Sequence, residues 1–273
     1  MTESTMHFKD SLFPQYPDFL DHLSRKIRDA KSDLFLVYEG LQPTWVQSAW
    51  HFIETQLEGK TIRKSYNSKV GVFSLHVMPT YIHDSLQPWQ AQCREDWKDD
   101  GFITKDESRC LQAYTGTTLE FRDGPYRGSR KEPDVFVQST YVDVPTLAME
   151  SGWSESLREL ENDMNLLLVW ANGAIKRVFI AKWTKHTDEY HVSGIIKVYK
   201  LDRNGMPIQE GPTQTIFPAP SDSQNQCISV RRKDLFCGSP YANINPNVML
   251  KYPLDDLRVK ASLNLRRMGL APM

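Results

Sequence analysis

What this sequence lacks narrows it first. Cysteine is scarce: four in 273 residues, at Cys93, Cys110, Cys227 and Cys237, with no C-x-x-C pair. That spacing argues against a zinc module and fits reduced intracellular thiols. Long apolar runs are missing too, since a membrane span needs about 20 residues and no run here comes near that. The opening MTESTMHFKD has neither the basic nor the apolar region of a secretory signal. We expect a soluble protein of the cytoplasm or nucleus with no membrane partner. Neither sign of charge dominates, with 33 Lys+Arg against 34 Asp+Glu and a net charge of −1. The chain as a whole is therefore not a polycation built for nucleic acid, which leaves only local basic patches. The seven histidines form no H-E-x-x-H, so no zinc site is expected. No G-x-x-x-x-G-K and no supported G-x-G-x-x-G is present, so no nucleotide cofactor is expected. Repeats and low-complexity segments are absent.

What is present is an ordinary globular composition, 40 % hydrophobic and 25 % charged. The length suits one large domain or two small ones, and no linker stands out. Residues 16–32 read as a helix, with Phe19, Leu20, Leu23 and Ile27 at helical spacing. Residues 43–60 read as a second, with Pro43 in its first turn, Val46, Trp50, Ile53 and Leu57 on one face, and Gly59 as its stop. DLFLVYEG and VGVFSLHV are strand candidates, and a further helix is expected after Pro88. Gly116, Gly124, Pro125 and Gly128 imply strands joined by turns between 111 and 130.

The centre carries the clearest pattern. DVFVQ is a strand, VPTLAME is another, and WSESLRELENDMNLLLVWANG is a helix. Ser156 with Glu159 three residues on makes a capping box, and Asn172-Gly173 ends the helix. IKRVFIAKW and YHVSGIIKVYKLD follow as strands. This order predicts an α/β fold: a mixed central sheet flanked by helices, with TLAME and KRVFIAK parallel across the helical crossover. QTIFPAP and CISVRRKDLF hold short strands, and residues 252–269 close the chain as a basic amphipathic helix.

Asp134 starts one central strand and Glu150 ends the next. If those strands are antiparallel, both acids lie at one end of the sheet. Two carboxylates and a backbone carbonyl there form a hard, oxygen-rich site suited to Mg2+ or Mn2+. The plainer alternative has Glu150 pairing with Arg127, Arg130 or Lys131, and Asp134 fixing a turn after Pro133. Ser151, Ser154 and Ser156 stand near Glu150. A serine nucleophile is one reading, and helix caps are the better one for Ser154 and Ser156.

KEPDVFV, PTLAMESGWSES, a helix and KRVFIAKW together resemble the core of the PD-(D/E)XK, restriction-endonuclease-like nuclease superfamily. The chain is also similar to fungal proteins of unestablished function that carry the pattern EPD…PT…E-x-G-[WY]-S-E-S. The resemblance spans roughly residues 129–183, a fifth of the chain. It implies a restriction-endonuclease-like core over about residues 111–200 of a single domain covering 1–273. A helical elaboration would precede that core and a loop and helix extension would follow it. It also implies that Asp134 and Glu150 are the metal acids and that Ser151 lends its carbonyl. The departure is at Gly152, where the family's catalytic lysine belongs. Lys182 ends the neighbouring parallel strand and is the candidate replacement. Glu54, with Glu39 second, is the candidate for the upstream glutamate that completes such sites.

Basic groups supply a candidate phosphate track: Arg127, Arg130 and Lys131 before Asp134; Arg231, Arg232 and Lys233; and Arg258, Lys260, Arg266 and Arg267 on the last helix. Trp153 and Trp183 are candidates for stacking on bases, against the commoner role of filling a core. Three functions follow as expectations. The first is a Mg2+- or Mn2+-dependent nuclease acting on DNA or RNA through Asp134, Glu150 and Lys182. The second is a repurposed fold without metal, a tRNA-dependent aminoacyl transferase of peptide-bond-forming or cyclodipeptide-synthase type, with the acids as general bases. The third is a nucleic-acid-binding module without catalysis.

Overall fold

The structure, a computed structural model, describes residues 4–57, 59–221, 223 and 226–273. Residues 1–3 and Glu58 of the expected second helix lie outside them. Along the chain run β1 (Ser4–Lys9), α1 (Tyr16–Asp29), β2 (Leu34–Glu39), α2 (Pro43–Gln56), β3 (Ile62–Asn67) and β4 (Val72–Val77). Next come α3 (Leu86–Asp99), α4 (Lys105–Cys110), β5 (Leu111–Tyr114), β6 (Leu119–Glu120), β7 (Arg130–Lys131), β8 (Val135–Ser139), β9 (Leu147–Gly152) and α5 (Leu157–Trp170). The remainder is β10 (Arg177–Lys185), β11 (His191–Leu201), β12 (Pro207–Gln209), β13 (Gln214–Phe217), β14 (Cys227–Arg231), α6 (Arg232–Leu235), β15 (Met249–Pro253), α7 (Leu254–Arg267) and β16 (Ala271–Pro272). The chain is thus mixed α/β, as expected.

These elements gather into two compact units. One comprises residues 1–80 and 117–132, the other residues 81–116 and 133–273. The first unit holds a sheet in the order β1-β2-β4-β3-β7-β6, with only β1 and β2 parallel. Its core forms where α1 and α2 lay their apolar faces on that sheet. Phe19, Leu23 and Ile27 of α1 sit at i, i+4 and i+8 and are buried, as are Val46, Ala49, Trp50 and Ile53 of α2. They meet Leu36, Tyr38, Phe73, Leu75 and Val77 of the sheet. The N-terminal part, expected as a helical elaboration, therefore carries a full sheet of its own. Residues 117–132, expected within the nuclease-like core, belong to this unit.

The second unit is built on a sheet in the order β12-β11-β10-β9-β8-β5. β9 runs parallel to β10 and antiparallel to β8, and α5 supplies the crossover between β9 and β10. The expected central pattern is therefore present. β9 is buried along its whole length, which accounts for the continuous run LAMESG where a half-exposed strand would alternate. One face of the sheet contributes Met149, Phe179, Ala181 and Trp183 to a core shared with Trp89, Cys93 and Trp97 of α3 and Leu257, Ala261 and Leu265 of α7. The other face receives α5, whose Leu160, Met164 and Leu167 are buried. The capping box is formed as expected: Glu159 N–H donates to Ser156 Oγ and Ser156 N–H donates to Glu159 Oε2. Among the described residues no helix is long and apolar enough to cross a membrane.

One contact corrects the sequence reading. Arg232, expected on an exposed phosphate track, is 2 % exposed. Its guanidinium pairs with Glu107, donates to the Phe102 carbonyl (2.9 Å) and lies over the Phe236 ring. Arg258 is likewise buried and donates to the Thr215 and Ile216 carbonyls. Burial alone would raise the Glu107 pKa. The Thr104 N–H and the Arg232 guanidinium outweigh it and hold the carboxyl below its ordinary value. Replacing Arg232 with Met leaves a buried carboxylate unpaired and is expected to cost about 3–5 kcal/mol at neutral pH. Because the folded-state pKa is depressed, the contact's contribution is complete above about pH 4.3 and is lost as pH falls through the folded value. Denaturant titrations should therefore show the gap between wild type and Arg232→Met narrowing below that pH. A gap independent of pH would rule the ion pair out as its source.

Candidate active site at the ends of β8 and β9

The register of β8 and β9 brings the two acids together. Val135 stands opposite Met149 and Phe136 opposite Ala148. One step further, Asp134 falls beside Glu150. Side chains alternate across a strand. Val135 and Met149 enter the core shared with α3 and α7, so Asp134 and Glu150 both point to the α5 face. Asp134 Oδ2 accepts the Ser151 N–H at 2.7 Å, a bond that crosses from the start of β8 to the end of β9. Glu150 is 3 % exposed. A carboxylate so buried must be paired, protonated or bound to a cation.

Ser151 is held at every polar atom. Its N–H goes to Asp134, its Oγ accepts from Trp183 Nε1 (3.0 Å), and its carbonyl accepts from His83 Nδ1. The carbonyl has only lone pairs, so the proton of the last bond sits on Nδ1. His83 precedes α3 and was not picked out from the sequence. No motif marks it, because it lies 68 residues from Ser151 in the chain.

Gly152 stands where the superfamily pattern places a lysine, and the structure gives a steric reason for its glycine. A Cβ at 152 would lie 2.5 Å from Leu160 Cδ1 and 3.1 Å from Leu160 Cγ. α5 closes that slot. Lys182 is paired in register with Gly152, so it projects from the same sheet face as Glu150. Its ammonium donates to the Trp153 carbonyl (2.6 Å) and the Trp183 carbonyl (2.8 Å). The expected replacement lysine therefore shares the acids' face, with two of its three protons given to backbone oxygens.

The other expected residues divide by burial. Trp153 and Trp183 are core side chains, at 6 % and 0 % exposure, and offer no stacking surface. Ser154 is buried and is not the helix cap; that role is Ser156's alone. Lys131 is also buried, which takes it off an exposed track. Glu54 lies on α2 of the first unit, where its Oε1 accepts from Trp50 Nε1 (2.8 Å) and lies 3.7 Å from Lys64. Glu39 is an exposed residue ending β2. Arg231 pairs with Asp234 at 3.2 Å. Lys233 and Arg266 are exposed. Arg267 donates to Asn264 Oδ1 and lies over the Tyr81 ring. Arg127 and Arg130 belong to the first unit, while Asp134 belongs to the second.

The donor set suits a hard divalent cation as far as its carboxylates go, with Asp134 and Glu150 side by side. The Ser151 carbonyl already accepts from His83, so the third oxygen that the superfamily resemblance implies is engaged. No protein-family model matches the chain, and no curated protein sequence matches it.

The steric reading of Gly152 is open to a double-mutant cycle. Gly152→Lys overpacks a filled slot and is expected to cost about 1–3 kcal/mol. Leu160→Ala alone is expected to cost about 2–5 kcal/mol. Combined, they should destabilise by clearly less than the sum of the two, because Leu160→Ala opens the space that the new side chain needs. Strict additivity in chemical denaturation would show that Leu160 is not what excludes a side chain.

Proposed function

We propose that Asp134 and Glu150 form the chemical centre of a protein that acts on nucleic acid, and that the reaction is phosphodiester hydrolysis assisted by a divalent cation. The observation that carries this reading is the acid pair. Two carboxylates from neighbouring antiparallel strands share one sheet end, beside a parallel strand that bears a lysine on the same face. When bound, Mg2+ or Mn2+ supplies charge neutralisation for the phosphate under attack. The chain's own residues orient the site. Asp134 is fixed by the Ser151 N–H, and Lys182 adds positive charge to the face that carries both acids.

A second reading draws on Gly152 and Leu160. With the motif lysine sterically excluded and Lys182 bonded to two carbonyls, a reaction that needs acids and no lysine is favoured. Transfer of an aminoacyl group from tRNA to an amine is such a reaction. The amine loses a proton to a carboxylate as it attacks the ester carbonyl, and the tRNA hydroxyl leaves.

Incubation of the purified chain with plasmid DNA and total tRNA, with Mg2+ or Mn2+, separates the two. Under the first reading the wild type cuts, and Asp134→Asn and Glu150→Gln each lose at least about 100-fold in rate. Lys182→Met should lower the rate as well. Intact nucleic acid, together with Glu150-dependent release of amino acid from charged tRNA into a peptide product, would replace hydrolysis with transfer. Cutting that survives Glu150→Gln would remove the acid pair from the chemistry.

A further inference from the structure

The first unit contains a pocket of 480 Å3 that lies wholly between α2, β3 and the segment 117–132. This volume is in the range of small-molecule sites. Its floor is apolar and aromatic, with Val46 and Trp50 from α2, Tyr66 from β3, and Phe121. Its polar lining is dominated by guanidinium groups: Arg122, Arg127 and Arg130 stand against one acid, Glu120.

The cations are held in place. Arg130 lies over the Trp50 ring, 5.6 Å from its centroid, and 3.5 Å from Glu120. The Trp50 ring is fixed in turn by its Nε1–H bond to Glu54. Arg127 sits on a hydrogen-bonded turn. Its N–H donates to the Gly124 carbonyl, its own carbonyl accepts from Ser68 Oγ (2.8 Å), and the next N–H, of Gly128, donates to the Phe121 carbonyl. Gly124 and Gly128 take positive φ (+75° and +85°), which the turn requires. Glu120 is shared between Arg130 and Arg122, at 3.5 and 3.6 Å. The Arg127 guanidinium makes no ion pair or hydrogen bond among the described residues and is exposed. One acid cannot neutralise three guanidinium groups. The pocket therefore keeps an excess of positive charge over an aromatic floor, on backbone that is already ordered and needs little reorganisation to bind.

We propose that this pocket binds a phosphorylated ligand with a flat apolar body, of the nucleoside monophosphate class. Arg127 and Arg130 hold the phosphate, and the ring lies against Pro43, the exposed apolar residue of the lining, at the edge of the aromatic floor. Arginine suits the role because its planar fork meets phosphate oxygens in pairs. The same chemistry arises from a free nucleotide or from one nucleotide of a strand, and the experiment distinguishes them. The proposal does not depend on Asp134 or Glu150.

Calorimetric titration of the full chain with AMP is the test, with adenosine and inorganic phosphate as part-ligands and a 5′-phosphorylated oligonucleotide as the second source. AMP is expected to bind at one site and more tightly than either part-ligand. Arg127→Met, at an exposed position, should fold normally and weaken AMP at least about tenfold, the scale of one lost charge-assisted contact. Arg130→Met should do the same. Oligonucleotide binding that competes with AMP and is weakened by Arg127→Met identifies the strand as the source; AMP binding without oligonucleotide binding identifies the free nucleotide. Binding of neither ligand, or AMP binding unchanged in Arg127→Met, overturns the proposal. Glu150→Gln should leave AMP binding intact, so a failure here is distinct from a failure of the acid pair.

Discussion

The second unit is organised around one residue with no room to move. Ser151 is fully buried, and each of its three polar groups has a partner: Asp134, Trp183 and His83. These bonds connect the start of β8, the end of β10 and the turn that leads into α3 to the end of β9. The chain of dependence extends further. Trp183 stands opposite Gly194 on β11, and a Cβ at 194 would lie 2.6 Å from the Trp183 ring. Glycine on β11 makes space for the indole, the indole donates to Ser151, and Ser151 donates to Asp134. The acid's position is thus set by packing on the opposite face of the sheet.

Placing polar groups in a strand buried on both faces is costly unless each is satisfied. β9 and β10 show how that cost is met. Lys182 extends from a buried strand, and its ammonium reaches two backbone carbonyls near the strand end. Gly152, its neighbour in register, contributes no side chain, and Leu160 fills the space. A side chain at 152 and Leu160 in its present conformation cannot coexist. The glycine at 152 and the position of Leu160 are therefore one feature seen twice.

Local signals were legible in the sequence and tertiary ones were not. The Ser156–Glu159 capping box, the apolar stripes of α1 and α2 and the parallel pairing of β9 with β10 all depend on neighbours within about one crossover, and all are present. The convergence of Asp134 and Glu150 follows from that same short topology. β1 and β3 went unread. Their sequences, STMHFK and IRKSYN, are rich in polar residues, and they are strands because the sheet of the first unit recruits them. Arg232 and Lys131 were read as surface charge because composition carries no burial. Arg232 is buried because Glu107, 125 residues away, and the Phe102 carbonyl neutralise and satisfy it. Trp89, Trp97 and Trp183 follow the commoner rule for large aromatics: they are buried, and their indole N–H groups donate to the Pro253 carbonyl, the Lys251 carbonyl and Ser151 Oγ.

Electrostatics separates the two chemistries that the acid pair admits. A phosphodiester arrives negative. Brought to two carboxylates, it is repelled unless positive charge at the site exceeds theirs, and the lysine on their sheet face has already given two hydrogen bonds to carbonyls. Hydrolysis at this site therefore stands or falls with a bound divalent cation. An aminoacyl ester presents a neutral carbonyl and a protonated amine. Carboxylates attract that ammonium and take its proton, and the neutral amine so formed is the nucleophile. Both reactions lose when one negative charge is removed from the pair, but for different reasons. Glu150→Gln lowers the affinity for a cation in the first case and removes an anchor for the amine in the second. Chelation abolishes only the first activity, because only there does the reacting group itself, the phosphodiester, carry negative charge.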